Sequence, residues 1–207
     1  MVCETTAAMC GSQPRPVLLI LKKLYLCAMN ELLLHSCCAP CSAPILEWML
    51  DNDISPTLFF FNPNIYPLDE YLRRKEECAR YAEKLGVAFI DGDYDQEAWC
   101  AAVAGLEEQP ERGERCSLCF RMRLRATALL ASERKIRIFT STLAGSRWKD
   151  FGQIVEAGNW AASQADGTEF WDKDWKKGGL TERRKALLHE NGFYNQQYCG
   201  CRFSIRK

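Results

Sequence analysis

Of the twelve cysteines in the chain, three stand in a CCxxC (Cys37, Cys38, Cys41), two in a CxxC (Cys116, Cys119) and two in a YCGC (Cys199, Cys201). Thiolate is the form of cysteine that binds soft metals and exchanges disulfides, and thiols set this closely are poised for one or the other. Adjacent residues such as Cys37 and Cys38 point different ways, so three thiols on one turn can serve two metal atoms. Four thiolates drawn from two distant loops, Cys37, Cys38, Cys116 and Cys119, can hold a [4Fe–4S] cube, and the same four can hold tetrahedral zinc. Structural zinc sites generally pair knuckles of small independent folds. Here the thiols follow a strand and open a helix, which favours iron and sulfide.

Cys199 and Cys201 are too close in sequence for independent knuckles. Through Gly200 they can close a small ring, and strained disulfides are the readily reduced, catalytic kind. A redox-active dithiol is the preferred reading, with a further metal ligand as the alternative. Cys78 and Cys100 each fall on the apolar stripe of a predicted helix and are assigned to packing.

These motifs need a scaffold. "ELLLHS" and "SPTLFFFNPN" read as strands around a helical "APILEWMLDND". "YPLDEYLRRKEECARYAEKLG" reads as a helix, with Pro67 at its first position and Gly86 just past its end. "VAFIDGDY" and "KIRIFTSTL" give two more strands, and "DQEAWCAAVAGLEE", "RCSLCFRMRLRATALLASER" and "RWKDFGQIVEAGNWAASQ" three more helices. The alternation predicts an α/β fold, a mostly parallel Rossmann-like sheet with helices on both faces. Binding groups gather at the carboxyl ends of such strands, where Cys37, Asn62, Asn64 and Thr140 fall. The segment from Phe170 onward is enriched in basic and aromatic residues and is expected to wrap over the pocket as a tail.

Composition bounds the rest. At 207 residues one domain is expected, over residues 29–207, with residues 1–28 as an extension whose Cys3, Cys10 and Cys27 receive no chemistry. Lys and Arg total 27, as do Asp and Glu, so contact with nucleic acid requires a local basic face. "PVLLILKKLYLCAM" is split by Lys22 and Lys23 into halves too short to span a bilayer, so no membrane association is expected. The make-up is that of an intracellular enzyme, where clustered thiols hold metal or do redox work, and a cytoplasmic location is expected.

In order, "LHSCCAPCS", "FFFNPNIYPLDEYLRR", "RCSLCFRMRL", "FTSTLAGSRWKDFGQIVEAG", "KKGG" and "NGFYNQQYCGCRFS" resemble the QueH-type epoxyqueuosine reductases from Asn30 to Phe203. The resemblance implies reduction of epoxyqueuosine to queuosine at the wobble position of tRNAs for Asp, Asn, His and Tyr, the last step of queuosine synthesis. It implies a [4Fe–4S] cluster on Cys37, Cys38, Cys116 and Cys119, and a redox-active disulfide at Cys199 and Cys201. It also places Cys41 where the family can ligate an additional mononuclear iron. The electron donor is unidentified.

The family's sheet resembles the nucleotide alpha-hydrolase (HUP) type found in ATP pyrophosphatases, but the turn "HSCCAPCS" lacks the glycines of a phosphate loop. An ATP-dependent tRNA-modifying enzyme of the PP-loop type, or a zinc-stabilised RNA-binding module, are the alternatives. The chain departs from the family at "AGSRW", where a proline is expected before the lysine.

Other candidates carry weaker signals. Tyr198 and Asp150 are candidate acids, set against core packing for Tyr198 and, for Asp150, a charge at a helix N-terminus favoured by the dipole. His35 is read as a satisfied buried histidine and His189 as exposed. Contacts to tRNA are assigned to Arg121 and Arg125 and to Lys173, Lys176, Lys177, Arg183, Arg184 and Lys185 interleaved with Trp171 and Trp175. Asn62, Asn64 and Thr140 are candidates for hydrogen bonds to the base.

Overall fold

In a computed structural model, residues 31–205 are described. The expectations for residues 1–28, including Cys3, Cys10 and Cys27, lie outside them. Strand β1 (Glu31–Ser36) is buried along all but its first residue, as its apolar run requires of a strand covered on both faces. Helix α1 (Ala39–Asp51) starts four residues before the expected "APILEWMLDND", because Pro40 sits in its first turn, where a missing N–H costs nothing. Cys41 is therefore helical. Strand β2 (Ser55–Phe60) follows, then helix α2 (Leu68–Leu85). Pro67 is the residue before α2, not its first, and Gly86 ends the helix in the left-handed region at φ 67°, where no side chain meets a steric penalty.

Strand β3 (Ala88–Asp91) leads to helix α3 (Gln96–Ala102), which is shorter than its sequence signal because Gly105 and Pro110 follow within a turn-rich segment. Helix α4 (Glu114–Glu133), strand β4 (Ile138–Ser141) and helix α5 (Phe151–Ala162) match their expected places. A two-residue strand β5 (Glu169–Phe170) and helix α6 (Leu180–Glu190) complete the order. So short a strand gives no alternating pattern to read.

The sheet order is β3-β2-β1-β4-β5 and every pairing is parallel, the Rossmann-like α/β arrangement expected. The chain runs outward from β1 on one side through β2 and β3, then returns to β1's other side with β4. That reversal opens a crevice beyond the carboxyl ends of β1 and β4. Register aligns the edge: Ser36 pairs with Phe60, and His35 with Ser141. The turns after β1, β2 and β4 thus emerge side by side. Among the described residues no helix is long and apolar enough to cross a membrane.

Candidate active site

The turn after β1 is locked from below. Buried His35 meets Ser141 Oγ at 2.8 Å and the Phe61 carbonyl at 3.0 Å, tying β1 to both neighbours. Burial, reinforced by the Arg123 charge, lowers its pKa to about 3, so the imidazole is neutral and structural. Asn62 donates to the Ser36 carbonyl at 2.8 Å and accepts from Arg123. Above this frame the sulfurs of Cys37, Cys38 and Cys41 all lie within 4.8 Å of one another, a buried group that can hold a metal. The N–H of Cys37 donates to Thr142 Oγ1 at 3.2 Å, and those of Cys41 and Ser42 to the Cys38 carbonyl. Three of the turn's amides are thus engaged within the protein and not offered to a phosphate.

The three thiols are not equivalent. Hydrogen bonds from Cys38 and Cys41, aided by the Lys149 and Arg123 charges, hold the Cys37 thiol well below its usual range. Burial pushes Cys38 up, and the hydrogen bond to Cys37 takes Cys41 up to about 11. Without metal, one thiolate is stabilised by two thiols.

The CxxC and YCGC cysteines form a second group. Cys119 and Cys201 pack with Trp99 and Val103, while Cys116, Cys199 and Cys201 line a small cleft with Lys149 and Arg115. Cys116 Sγ accepts the Arg112 N–H at 3.3 Å ahead of α4, as a thiol at a helix start should. Burial nevertheless raises both Cys116 and Cys119, so the helix terminus does not by itself ionise them. Cys199 and Cys201 are both free thiols.

Three buried cations tie the two groups together, and the sequence reading missed all three in this role. Lys149, hydrogen-bonded to Ser146 at 3.4 Å, interacts electrostatically with Cys199, Cys37 and Cys41. Burial acts to lower its pKa, but the electrostatic pull of these cysteines outweighs it and the ammonium is held above its usual value. Arg123 acts on both Cys37 and Cys119. Arg74 forms a buried ion pair with Glu70 (Nε to Oε1, 2.8 Å), donates to the carbonyls of Tyr198 and Cys199, and feels Cys38.

Gly200 has φ +126°, and a Cβ there would come within 3.1 Å of Ile65 and 3.2 Å of Arg74, so only glycine fits between the two cysteines. Each of these cations sits among other charges, Arg74 in "LRRKEE", Arg123 in "RMRLRA" and Lys149 between Arg147 and Asp150, beside Trp148, where a charge reads as solvent-facing. The one available signal was the position of Arg123, one helical turn past Cys119. The departure at "AGSRW" leaves Lys149 pointing inward.

The donor set and its surroundings fit an anionic thiolate-bound metal group. Neither Arg123 nor Lys149 has a carboxylate within ion-pair distance among the described residues, and Arg123 Nε is buried without a partner. Uncompensated buried cations are costly, and negative charge between them offsets that cost.

Several weaker candidates are structural. Asp150 caps α5, accepting from Gln153 N at 2.9 Å. Tyr198 donates its hydroxyl to the Tyr66 carbonyl, and its ring lies 5.4 Å from the Arg74 guanidinium carbon. Thr140 donates to the Trp171 carbonyl and accepts from Trp175. Trp175 is buried against Trp48, not offered to a base, and Lys173 Nζ sits 4.1 Å above the Trp48 ring. Arg183 pairs with Glu47 and Glu190, and Arg121 with Glu156. His189 is exposed and Cys78 is buried, as expected; Cys100 is only half-buried. Asn64 remains open: it is buried and its Oδ1 has no partner.

A family model described as epoxyqueuosine reductase QueH matches residues 32–207. The chain is 49% identical over 177 residues to the epoxyqueuosine reductase QueH of Histophilus somni, covering 86% of this chain and 73% of that one. It is 48% identical to that of Haemophilus influenzae, covering 86% and 72%, and 33% identical to that of Thermotoga maritima, covering 86% and 91%. With the CCxxC thiols grouped at the sheet's switch point and its sequence matched over residues 32–207, the chain belongs to the epoxyqueuosine reductase QueH family.

Proposed function

We propose that this chain, an oxidoreductase of the epoxyqueuosine reductase family, reduces epoxyqueuosine to queuosine at the wobble position of tRNA. In this reading it uses a [4Fe–4S] cluster on Cys37, Cys38, Cys116 and Cys119, with Cys199 and Cys201 as its redox-active pair. The observation that carries the reading is the ring of buried cations, Arg74, Arg123 and Lys149, linking the thiols of the β1 turn to those of the CxxC and YCGC motifs. Cys41, grouped with Cys37 and Cys38, is the candidate ligand of an additional iron.

Opening an epoxide to an alkene and water takes up two electrons and two protons. A cluster held by Cys37, Cys38, Cys116 and Cys119 would supply electrons singly, and an iron at Cys41 would supply Lewis acidity toward an oxygen. The chain's own groups meet the remaining needs. Two thiols closing to a disulfide release two electrons and two protons, which matches the epoxide's demand. Lys149 holds a positive charge between Cys199 and the β1 turn, where negative charge passes during reduction, and its Nζ carries a proton that it can give. Arg74, bonded to the carbonyls flanking the YCGC step, fixes that segment's distance from Cys38.

The test is to mix reduced, cluster-loaded protein with epoxyqueuosine-containing tRNA under anaerobic conditions and analyse the nucleosides by mass. Queuosine, one oxygen lighter, is expected. Intact epoxyqueuosine after incubation with fully loaded protein would sink the reading. A colourless preparation carrying stoichiometric zinc would sink the cluster.

A further inference from the structure

A pocket of about 300 Å³ opens beside the β1 turn, lined by Cys41 and not by the YCGC cysteines. Its floor is apolar apart from one thiol: Cys41, Pro44 and Ile45 from α1 and Leu180 from α6. Its rim is basic, with Arg147 from the loop before α5, Lys176 before α6, and Arg184 and Lys185 on α6. These four cations come from three stretches of chain, and among the described residues none is in an ion pair. Their neighbours differ. Lys177 has Asp174 at 3.6 Å, and Arg183 has two carboxylates.

Like charges assembled around a concavity without counter-charges repel one another, and the arrangement suits a ligand that is itself polyanionic. Arg147 also stacks on the half-exposed Trp148 ring at 4.6 Å, which adds an aromatic face to the wall. Gln196 Oε1 lines the same pocket, buried and without a partner, an acceptor waiting for an N–H or O–H. The volume lies at the lower end of the range for small-ligand pockets, roughly 300–1,000 Å³, enough for a single nucleoside.

We propose that this pocket receives the modified nucleotide, turned out of the anticodon loop toward Cys41, with Arg147, Lys176, Arg184 and Lys185 holding the phosphates on either side of it. The proposal rests on the reading of the chain as a tRNA reductase and says where on the chain the RNA is held. An extruded base is how enzymes reach a reacting atom in nucleic acid, and cations around the mouth of the pocket suit the backbone that stays outside. The pocket adjoins the redox thiols: RNA enters over α1 and α6, and Trp148 lines both this pocket and the cleft of Cys116, Cys199 and Cys201.

The experiment measures binding of the full chain to an epoxyqueuosine-containing anticodon stem–loop by fluorescence anisotropy across a salt series, which needs no turnover. The double substitution Arg184→Gln, Lys185→Gln is expected to weaken binding about tenfold or more and to flatten the slope of log K against log salt by about 1.4, at about 0.7 per phosphate contact. Arg147→Gln with Lys176→Gln, on the opposite wall, is expected to do the same. Arg80→Gln and Arg134→Gln, exposed cations that do not line the pocket, are the controls, with slopes unchanged. If the wild type binds and both double variants bind with its affinity and slope, the pocket assignment is overturned while the reductase reading stands. If the wild type does not bind the stem–loop, both fall.

Discussion

The β1 turn and the YCGC segment both present thiols to the same crevice, but they are held in different ways. Cys37 and Cys38 stand on the turn that leaves the central strand and Cys41 in the first turn of α1, with β2 and β4 in register with that strand on either side and His35, Asn62 and Thr142 bonded to the frame. Cys199 and Cys201 belong to no strand or long helix. Their segment is tethered by the Tyr66 N–H to the Gly200 carbonyl at 2.8 Å and by Arg74 reaching the carbonyls of Tyr198 and Cys199, both at 3.3 Å. Fixed ligands belong on rigid elements, because a metal group tolerates little displacement. A pair that opens and closes a disulfide must change its sulfur separation, and a tethered segment permits that.

The comparison breaks first at the thiols themselves. Cys37→Ala is expected to abolish both visible absorbance and queuosine formation, whereas Cys199→Ala keeps the colour and loses turnover. Visible spectra beside nucleoside mass analysis read the two effects, and full epoxide reduction by Cys199→Ala would contradict a redox role for the pair.

The tether comes next. Arg74→Met leaves Glu70 buried without its cation and is expected to cost about 3–5 kcal/mol in urea denaturation. It should also speed alkylation of Cys199 and Cys201 more than that of Cys37, and equal acceleration at all three would show that Arg74 braces the whole site. The smallest change is Gly200→Ala, which forces a side chain into φ +126° and is expected to cost more than about 1 kcal/mol. Turnover should fall while the absorbance of the loaded protein stays, because the β1 turn does not touch that backbone. Loss of colour would instead make the YCGC backbone part of the metal site.

Much of this was legible because it is local. Leu32 to Leu34 are apolar without alternation, as a doubly covered strand demands, and all three are buried; the thiol spacings were visible as written. Gly86 ended its helix where a left-handed residue was needed. Elements set by weak or short signals were misjudged: β5 has two residues, and α1 begins early because the sequence pattern did not weigh Pro40 as a starter. Among side chains, the tail's cations looked alike, yet Arg183 is bound to Glu47, 136 positions away, while Arg184 beside it faces the pocket.

The sequence by itself determined the parallel α/β alternation, the thiol groups and the family, since each depends on residue types at short range or on the order of motifs. Only the tertiary structure decided which charges go inside. Arg74, Arg123 and Lys149 meet the thiols through contacts that span most of the chain, and whether a cation is buried depends on the negative partners that packing brings to it. No local pattern records that.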